Sequence, residues 1–120
     1  MKKKVLVIGA STNPERFSNI AMIKLLKYGH TVVALGNKSG EVDGINIETE
    51  KLNFPDIDTI TLYIGSKNQI EYQDYILHLK PRRVIFNPGT SNPDLKLLLI
   101  KNDIEVVENC TLVMLDAGSF

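Results

Sequence analysis

Near its start the chain has a short apolar run that passes directly into a glycine turn. Residues 5–8 are all apolar, three of them are β-branched, and Gly9 follows at once. Such a run predicts a strand covered on both faces, and an apolar helical pattern begins at Ile20. A turn between a buried strand and a helix N-terminus presents backbone N–H groups to an anion. This stretch therefore predicts a site for the phosphates of a nucleotide.

Apolar runs alternate with helical patterns along the chain, as in a parallel sheet with crossover helices. Helical patterns cover residues 18–28, 68–79, 93–100 and 111–115, with Ser66 as the expected N-cap of the second and Asn92, followed by Pro93, as that of the third. Residues 37–44 are polar and contain glycine, which predicts a loop. Five core strands are predicted at residues 3–8, 31–35, 59–64, 83–86 and 104–107, with a short edge strand at 45–47. We expect one α/β domain over residues 1–120, a three-layer, doubly wound Rossmann-type fold. Its mostly parallel five-stranded sheet should have the order 3-2-1-4-5.

The composition narrows the range of partners. Lys and Arg total 14, as do Asp and Glu, so the formal net charge is zero and nucleic acid is not an expected partner. No apolar run approaches the roughly 20 residues of a bilayer span, so we expect no membrane contact and a cytoplasmic location. A chain without net charge is prone to self-association, which makes a homo-oligomer plausible. With a single cysteine, Cys110, the chain can form neither an internal disulfide nor a multi-cysteine metal site.

Ligands of doubly wound sheets bind beyond the carboxyl ends of the strands. Five segments should meet at that edge, and each is rich in Gly, Ser or Asn: residues 9–18, 36–40, 64–67, 87–91 and 108–111. Each segment alone is compatible with ordinary turn chemistry. Together they predict a polar rim around one crevice.

The first turn departs from the dinucleotide-binding fingerprint. Gly9 fills the first glycine position, but Ser11 and Pro14 stand where further glycines are expected. Hydroxyl groups of Ser11 and Ser18 are available as donors instead. Arg16 either faces a phosphate or is an ordinary surface charge.

The end of the second strand indicates which nucleotide to expect. An NAD site places an acidic residue there to bind the ribose, but this chain has Asn37 and Lys38 and no acid before Glu41. An ammonium suits a ribose that carries a phosphate, as in NADP or coenzyme A, although Lys38 is also compatible with an ordinary loop lysine. Further along, the Asn87 amide could bind a ligand amide, and Gly89 permits close approach of the backbone. The other interpretation of this segment is a plain turn before a helix.

The sequence shows no catalytic constellation. His30 and His78 are expected away from the rim, and no histidine is placed to activate Cys110, which we interpret as a packing residue. Without a base, nucleophile or metal cluster, we predict binding without catalysis and no metal site. The alternatives are an NADP-dependent oxidoreductase or NADP-binding domain, and an interaction protein that has lost its ligand.

These features resemble the small bacterial CoA-binding domain proteins, which are similar to the N-terminal domain of the succinyl-CoA synthetase α subunit. The resemblance covers nearly the whole chain, and the segments that carry it are residues 7–18, 37–38, 44, 87–89 and 106–110. It implies that the CoA pyrophosphate lies in the first turn, at Gly9, Ala10, Ser11, Asn13, Arg16 and Ser18. It also implies that Lys38 faces the 3′-phosphate, with Asn37 next to it among the binding residues.

The same resemblance implies that the adenine or pantetheine passes Gly65 and the turn Asn87, Pro88 and Gly89. The partner molecule would be CoA or an acyl-CoA. Ligase activity is not expected, because the ATP-grasp partner and the domain with the phosphorylated histidine have no counterpart in this sequence.

Overall fold

The computed structural model describes residues 2–120 and has one seven-stranded sheet. Its spatial order is β3-β4-β2-β1-β5-β6-β7, and every neighbouring pair is parallel except β3 and β4, which are antiparallel. The strands are β1 (Lys4–Ile8), β2 (Thr31–Leu35), β3 (Gly40–Val42), β4 (Ile45–Glu48), β5 (Thr59–Leu62), β6 (Arg83–Phe86) and β7 (Glu105–Glu108). The α/β fold class is confirmed.

The strand count and order need correction. Of the five predicted core strands, the third, now β5, pairs directly with β1, so the order among those five is 2-1-3-4-5 rather than 3-2-1-4-5. The place beyond β2 is taken by β4, the predicted short edge strand, and β3 extends the sheet further as its hairpin partner. Asp43 and Gly44 both have positive φ and form that hairpin turn. Residues 40–42, predicted to be loop, are therefore a strand.

The helices cover both faces of the sheet. The elements are α1 (Phe17–Lys27), α2 (Ser66–Gln69), a 3₁₀ turn (Ile70–Tyr72), α3 (Gln73–Leu79), α4 (Pro93–Lys101) and α5 (Thr111–Ala117). α1 and α5 bury Met22 and Leu115 with Val5 and Val7 on one face. α3 and α4 cover the other face, where Leu6 and Ile8 of β1 lie in the core. Because β1 is buried on both faces, it carries the uninterrupted apolar run seen in the sequence.

Of two predicted N-caps, one is confirmed and the other is wrong. Asn92 was expected to cap α4, and its side chain does accept from the Leu95 N–H at 3.1 Å. Ser66 was expected to cap a continuous helix, but Gly65 occupies the N-cap and Ser66 is already helical. That predicted helix is divided into α2, the 3₁₀ turn and α3. None of the helices formed by residues 2–120 is both long enough and apolar enough to cross a membrane.

Candidate ligand-binding cleft

A cleft of about 660 Å³ opens where β1, β2, β5 and β6 end. Its walls come from four of the five segments that were expected to form a rim. The lining residues fall in the segments 9–12, 16–18, 36–38, 63–65, 68, 71–72 and 88–90. The segment after β7 does not line it.

The structure brings ten of the twelve predicted binding residues to this cleft: Gly9, Ala10, Ser11, Arg16, Ser18, Asn37, Lys38, Gly65, Pro88 and Gly89. Asn13 and Asn87 do not line it. The Asn13 side chain is exposed and accepts from the Glu15 N–H at 3.0 Å, which shapes the turn before α1.

The Gly9 turn is held against the neighbouring strands. Gly9 has φ +94°, and a Cβ built there would lie 2.9 Å from the Tyr63 carbonyl group. The N–H groups of Gly9 and Ala10 both donate to the Leu35 carbonyl of β2, at 3.0 and 2.8 Å. These two N–H groups are therefore used within the fold. Residues 11–12 also line the cleft, so the free N–H donors of the turn come from these two residues and from the start of α1.

The N-terminus of α1 faces the cleft without a cap. Arg16 occupies the N-cap, no side chain accepts from the first turn, and that turn holds no acidic residue. Phe17 and Ser18, the first two residues of α1, also line the cleft. The Ser11 Oγ accepts from the Asn13 N–H at 3.0 Å, which leaves its own proton free to donate. The helix dipole, these N–H groups and the hydroxyls all favour an anion here.

A close contact brings Lys38 to the same cleft. Gly36 follows β2, and a Cβ there would clash with the carbonyl oxygen of Ala10. The absence of a side chain at Gly36 lets the β2–β3 loop lie directly on the first turn. Lys38, on the loop after β2, and Arg16, on the turn after β1, therefore line the same cavity.

Asn87 supports the cleft from behind. Its side chain is 3% exposed, and its Nδ2 donates to the Thr61 Oγ1 at 2.7 Å and to the Leu62 carbonyl at 2.8 Å. Its Oδ1 accepts from the Thr111 N–H at 2.8 Å. The amide is thus committed to protein groups, whereas the next two residues, Pro88 and Gly89, face the cleft.

Tyr63 is one lining residue that the sequence did not single out. Its hydroxyl is buried and has no hydrogen-bond partner among residues 2–120. Burial raises the pKa of Tyr63 to about 12, so the phenol keeps its proton at neutral pH. The residue ends the β5 run, and an aromatic residue there carries no sequence signal that separates a cleft wall from the core.

Further unpredicted lining residues lie on the segment after β5 and at the start of α1. Glu71 and Tyr72 form part of the wall, with the Lys51 Nζ 3.9 Å from the Glu71 carboxylate and 5.0 Å from the centre of the Tyr72 ring. Phe17 lines the cleft and is 69% exposed. The others are Asn68 and four residues of the segments that were predicted to form the rim, Thr12, Gly36, Ile64 and Thr90. Asn68, Glu71 and Tyr72 were missed because residues 68–79 were predicted to form one continuous helix that faces the core, whereas the helix is interrupted and its first part contributes polar side chains to the cleft.

Neither His30 nor Cys110 lines the cleft. His30, before β2 at the opposite edge of the sheet, is 8% exposed, and its Nδ1 accepts from the Lys3 N–H at 3.0 Å. Burial lowers its pKa, and the nearby Lys3 and Arg83 charges act in the same direction. Cys110 is half-buried at the N-cap of α5. Within residues 2–120, no three His, Cys, Asp or Glu side chains are grouped so that they could hold a metal ion.

Solved structures with this fold span a wide range of sequence similarity. An uncharacterized protein is 47% identical, with a TM-score of 0.98, and the match covers 100% of this chain and 99% of that one. A hypothetical protein from Pyrococcus horikoshii OT3 is 28% identical with a TM-score of 0.87, over 96% of this chain and 82% of the other. A search of curated proteins gives no match.

A more distant similarity connects the fold to part of a large enzyme. The dinucleotide-forming acetyl-coenzyme A synthetase 1 of Ca. Korarchaeum cryptofilum, in complex with phosphate and ADP, matches with a TM-score of 0.74 at 18% identity. The match covers 89% of this chain but only 25% of the enzyme, and at this identity it shows the fold alone. The sequence model of the CoA binding domain family, by contrast, matches residues 3–116 of this chain. The protein therefore belongs to the CoA binding domain family.

Proposed function

We propose that this protein binds coenzyme A or an acyl-CoA in the cleft and performs no chemistry by itself. The observation that carries the proposal is the convergence of the uncapped α1 N-terminus, the free Ser11 proton, Arg16 and Lys38 on one cavity. Family membership supports the same ligand class. A diphosphate is matched by N–H groups, hydroxyls and a guanidinium at the first turn.

Lys38 is proposed to bind the phosphate on the ribose. It lies on the loop after β2, where a ligand running from the first turn toward β2 would place its ribose. Among residues 2–120, no carboxylate lines this part of the cleft, so a phosphate there meets an ammonium without a competing negative charge. Glu71, the acidic group of the cleft, is on the other side, after β5.

Binding without catalysis is proposed because, among residues 2–120, the lining holds no histidine or cysteine, and the phenol of Tyr63, whose pKa burial raises to about 12, stays protonated. Carboxyl, amide and hydroxyl groups orient a ligand, but no two of them form a nucleophile and base pair in the cleft. In this account any acyl chemistry belongs to a partner protein that receives or delivers the CoA ester.

Lys38→Met tests the assigned phosphate contact. By isothermal titration calorimetry, we expect the wild type to bind CoA about tenfold more tightly than dephospho-CoA, a difference of about 1.4 kcal/mol. The variant should lose that preference because the ammonium partner of the 3′-phosphate is gone. Lys101→Met, an equal charge change at an exposed position of α4, is the matched control and should keep the preference for CoA.

The same titrations with NADP and NAD separate the proposal from its alternative. NADP also carries a ribose phosphate, so Lys38 by itself does not distinguish it from CoA. Binding of NADP but not CoA would replace the proposal with a dinucleotide-binding role. An unchanged CoA preference in Lys38→Met would remove the role given to this lysine.

A further inference from the structure

Two loops form one wall of the cleft, and a buried side chain joins them. The first loop follows β5 and contributes Ile64 and Gly65, and the second follows β6 and contributes residues 88–90. Gln69 is completely buried behind both. Its Nε2 donates to the Ile64 carbonyl at 2.9 Å and to the Thr90 carbonyl at 2.7 Å.

All hydrogen-bonding positions that Gln69 needs in this place are used. Its two amide protons serve the two loops, and its Oε1 accepts from the Asn92 Nδ2 at 3.0 Å. Asn92 in turn caps α4. The carboxamide therefore connects three elements: the loop after β5, the loop after β6 and the start of α4. A buried amide with every partner in place is costly to disturb, since each lost bond leaves a buried carbonyl unpaired.

The second loop is also held from its other end. Thr90 donates through both its N–H and its Oγ1 to the Asn87 carbonyl, at 3.0 and 2.7 Å. The Asn87 amide is tied to β5 and to the start of α5. Pro88 and Gly89 thus lie between two buried carboxamides, while their own outer surface faces the cleft.

From this geometry we infer that Gln69 is a positioning residue that fixes the separation of the two loops and so the width of the ligand-facing wall. The inference rests on the proposed function, because the ligand whose affinity reports the width is CoA. Gln69 does not line the cleft, so its effect must act through the loops. A Cβ added at Gly65 or Gly89 would have no atom within 4 Å beyond the neighbouring residues, within the part of the chain that the structure describes. Packing at these two points therefore does not set the separation of the loops.

Gln69→Glu is the informative variant because it keeps the shape and replaces the donating NH₂ group with an ionisable oxygen. A carboxylate there faces two carbonyl oxygens and should push the loops apart, whereas a protonated carboxyl can donate to one of them again. Burial among carbonyls raises the pKa of such a group, so it should regain its proton as the pH falls. Gln73→Glu, four residues further along at a half-exposed site, adds the same charge without these contacts.

The measurement is the ratio of the CoA dissociation constant of each variant to that of the wild type at pH 8 and pH 5.5. The ratio removes the titration of the ligand's own phosphates. For Gln69→Glu we expect a ratio of about ten at pH 8 that falls toward two at pH 5.5, and for Gln73→Glu a ratio below two at both. A ratio near one for Gln69→Glu at pH 8, or one that does not change with pH, would overturn the inference.

Two further measurements keep the result decisive. If Gln69→Glu does not fold at pH 8, Gln69→Met preserves the volume without a charge and should weaken CoA binding about fivefold, whereas unchanged affinity would refute the positioning role. If the wild type binds no CoA, the proposed function fails, and amide exchange then tests by itself whether Gln69 holds the two loops. Exchange at residues 64–65 and 89–90 should be faster in Gln69→Glu than in Gln73→Glu, and equal rates would reject the positioning role.

Discussion

Gly36 lies where the β2–β3 loop crosses the first turn, and no other residue fits there without movement. A Cβ would clash with the Ala10 carbonyl and approach the Ile47 side chain at 3.0 Å. We expect Gly36→Ala to lower the free energy of unfolding by about 1–3 kcal/mol, as overpacking does at closely packed sites. Urea unfolding measures this. Gly65→Ala is the control, because its Cβ would meet open space, and it should change stability little.

If the two alanine variants were equally stable, the close approach of the loop to the first turn would not be the constraint that we describe. The sequence did place Gly36 at the rim, in the segment 36–40. It could not show the clash, because that depends on how closely β2 and the first turn approach in space.

His30 gives the protein a predictable pH dependence. Its pKa is lowered in the folded state by burial first and then by Lys3 and Arg83, while Asp58 acts in the opposite direction. The unfolded chain, with a pKa near the usual 6.5, therefore binds the proton more readily. The stabilisation is fully present above about pH 6.5 and is lost as the pH falls toward the folded-state pKa.

Urea unfolding between pH 7.5 and 5 should therefore show that the free energy of unfolding of the wild type decreases as the pH is lowered. His30→Asn keeps an acceptor for the Lys3 N–H and should flatten this part of the profile. His78→Gln replaces the exposed histidine and should leave the slope as it is. A wild-type slope that survives His30→Asn would assign the pH dependence to another group.

At the scale of elements, the short-range signals were reliable where they rest on local chemistry. The apolar run of β1 and the cap and proline at the start of α4 appear in the structure as expected. The signals failed where three-dimensional context decides. Residues 68–79 have the pattern of one helix, but the buried bonds of Gln69 to two loops coincide with the end of α2, and the chain continues as a 3₁₀ turn.

The start of α4 tests how an element end supports the cleft wall. Asn92→Ala removes both the cap to the Leu95 N–H and the bond to Gln69, and should cost about 1 kcal/mol or more of stability. Asn92→Asp keeps the capping oxygen and loses the donor to Gln69, and its charge is favoured at the α4 N-terminus, so thermal unfolding should place it between Asn92→Ala and the wild type. Equal losses in the two variants would mean that the cap contributes nothing at this position.

At the scale of the whole molecule, the parallel sheet fixes which loops meet. The sequence predicted four of the lining segments because parallel strands bring their carboxyl ends to one edge. It misjudged the strand order because a short hairpin, not a crossover helix, fills the place beside β2. It assigned Asn87 to the ligand because residue type and loop position do not reveal which way an amide points.

Titration of ¹⁵N-labelled protein with CoA, followed by amide NMR shifts, tests the central claim most directly. The account predicts that the largest shifts fall on residues 9–12, 16–18, 36–38, 63–65 and 89–90, which line the cleft. Residues around His30 and Phe120, at the far edge of the sheet, should not respond. Saturating CoA that leaves the cleft amides unmoved, or that shifts the far edge instead, would contradict it.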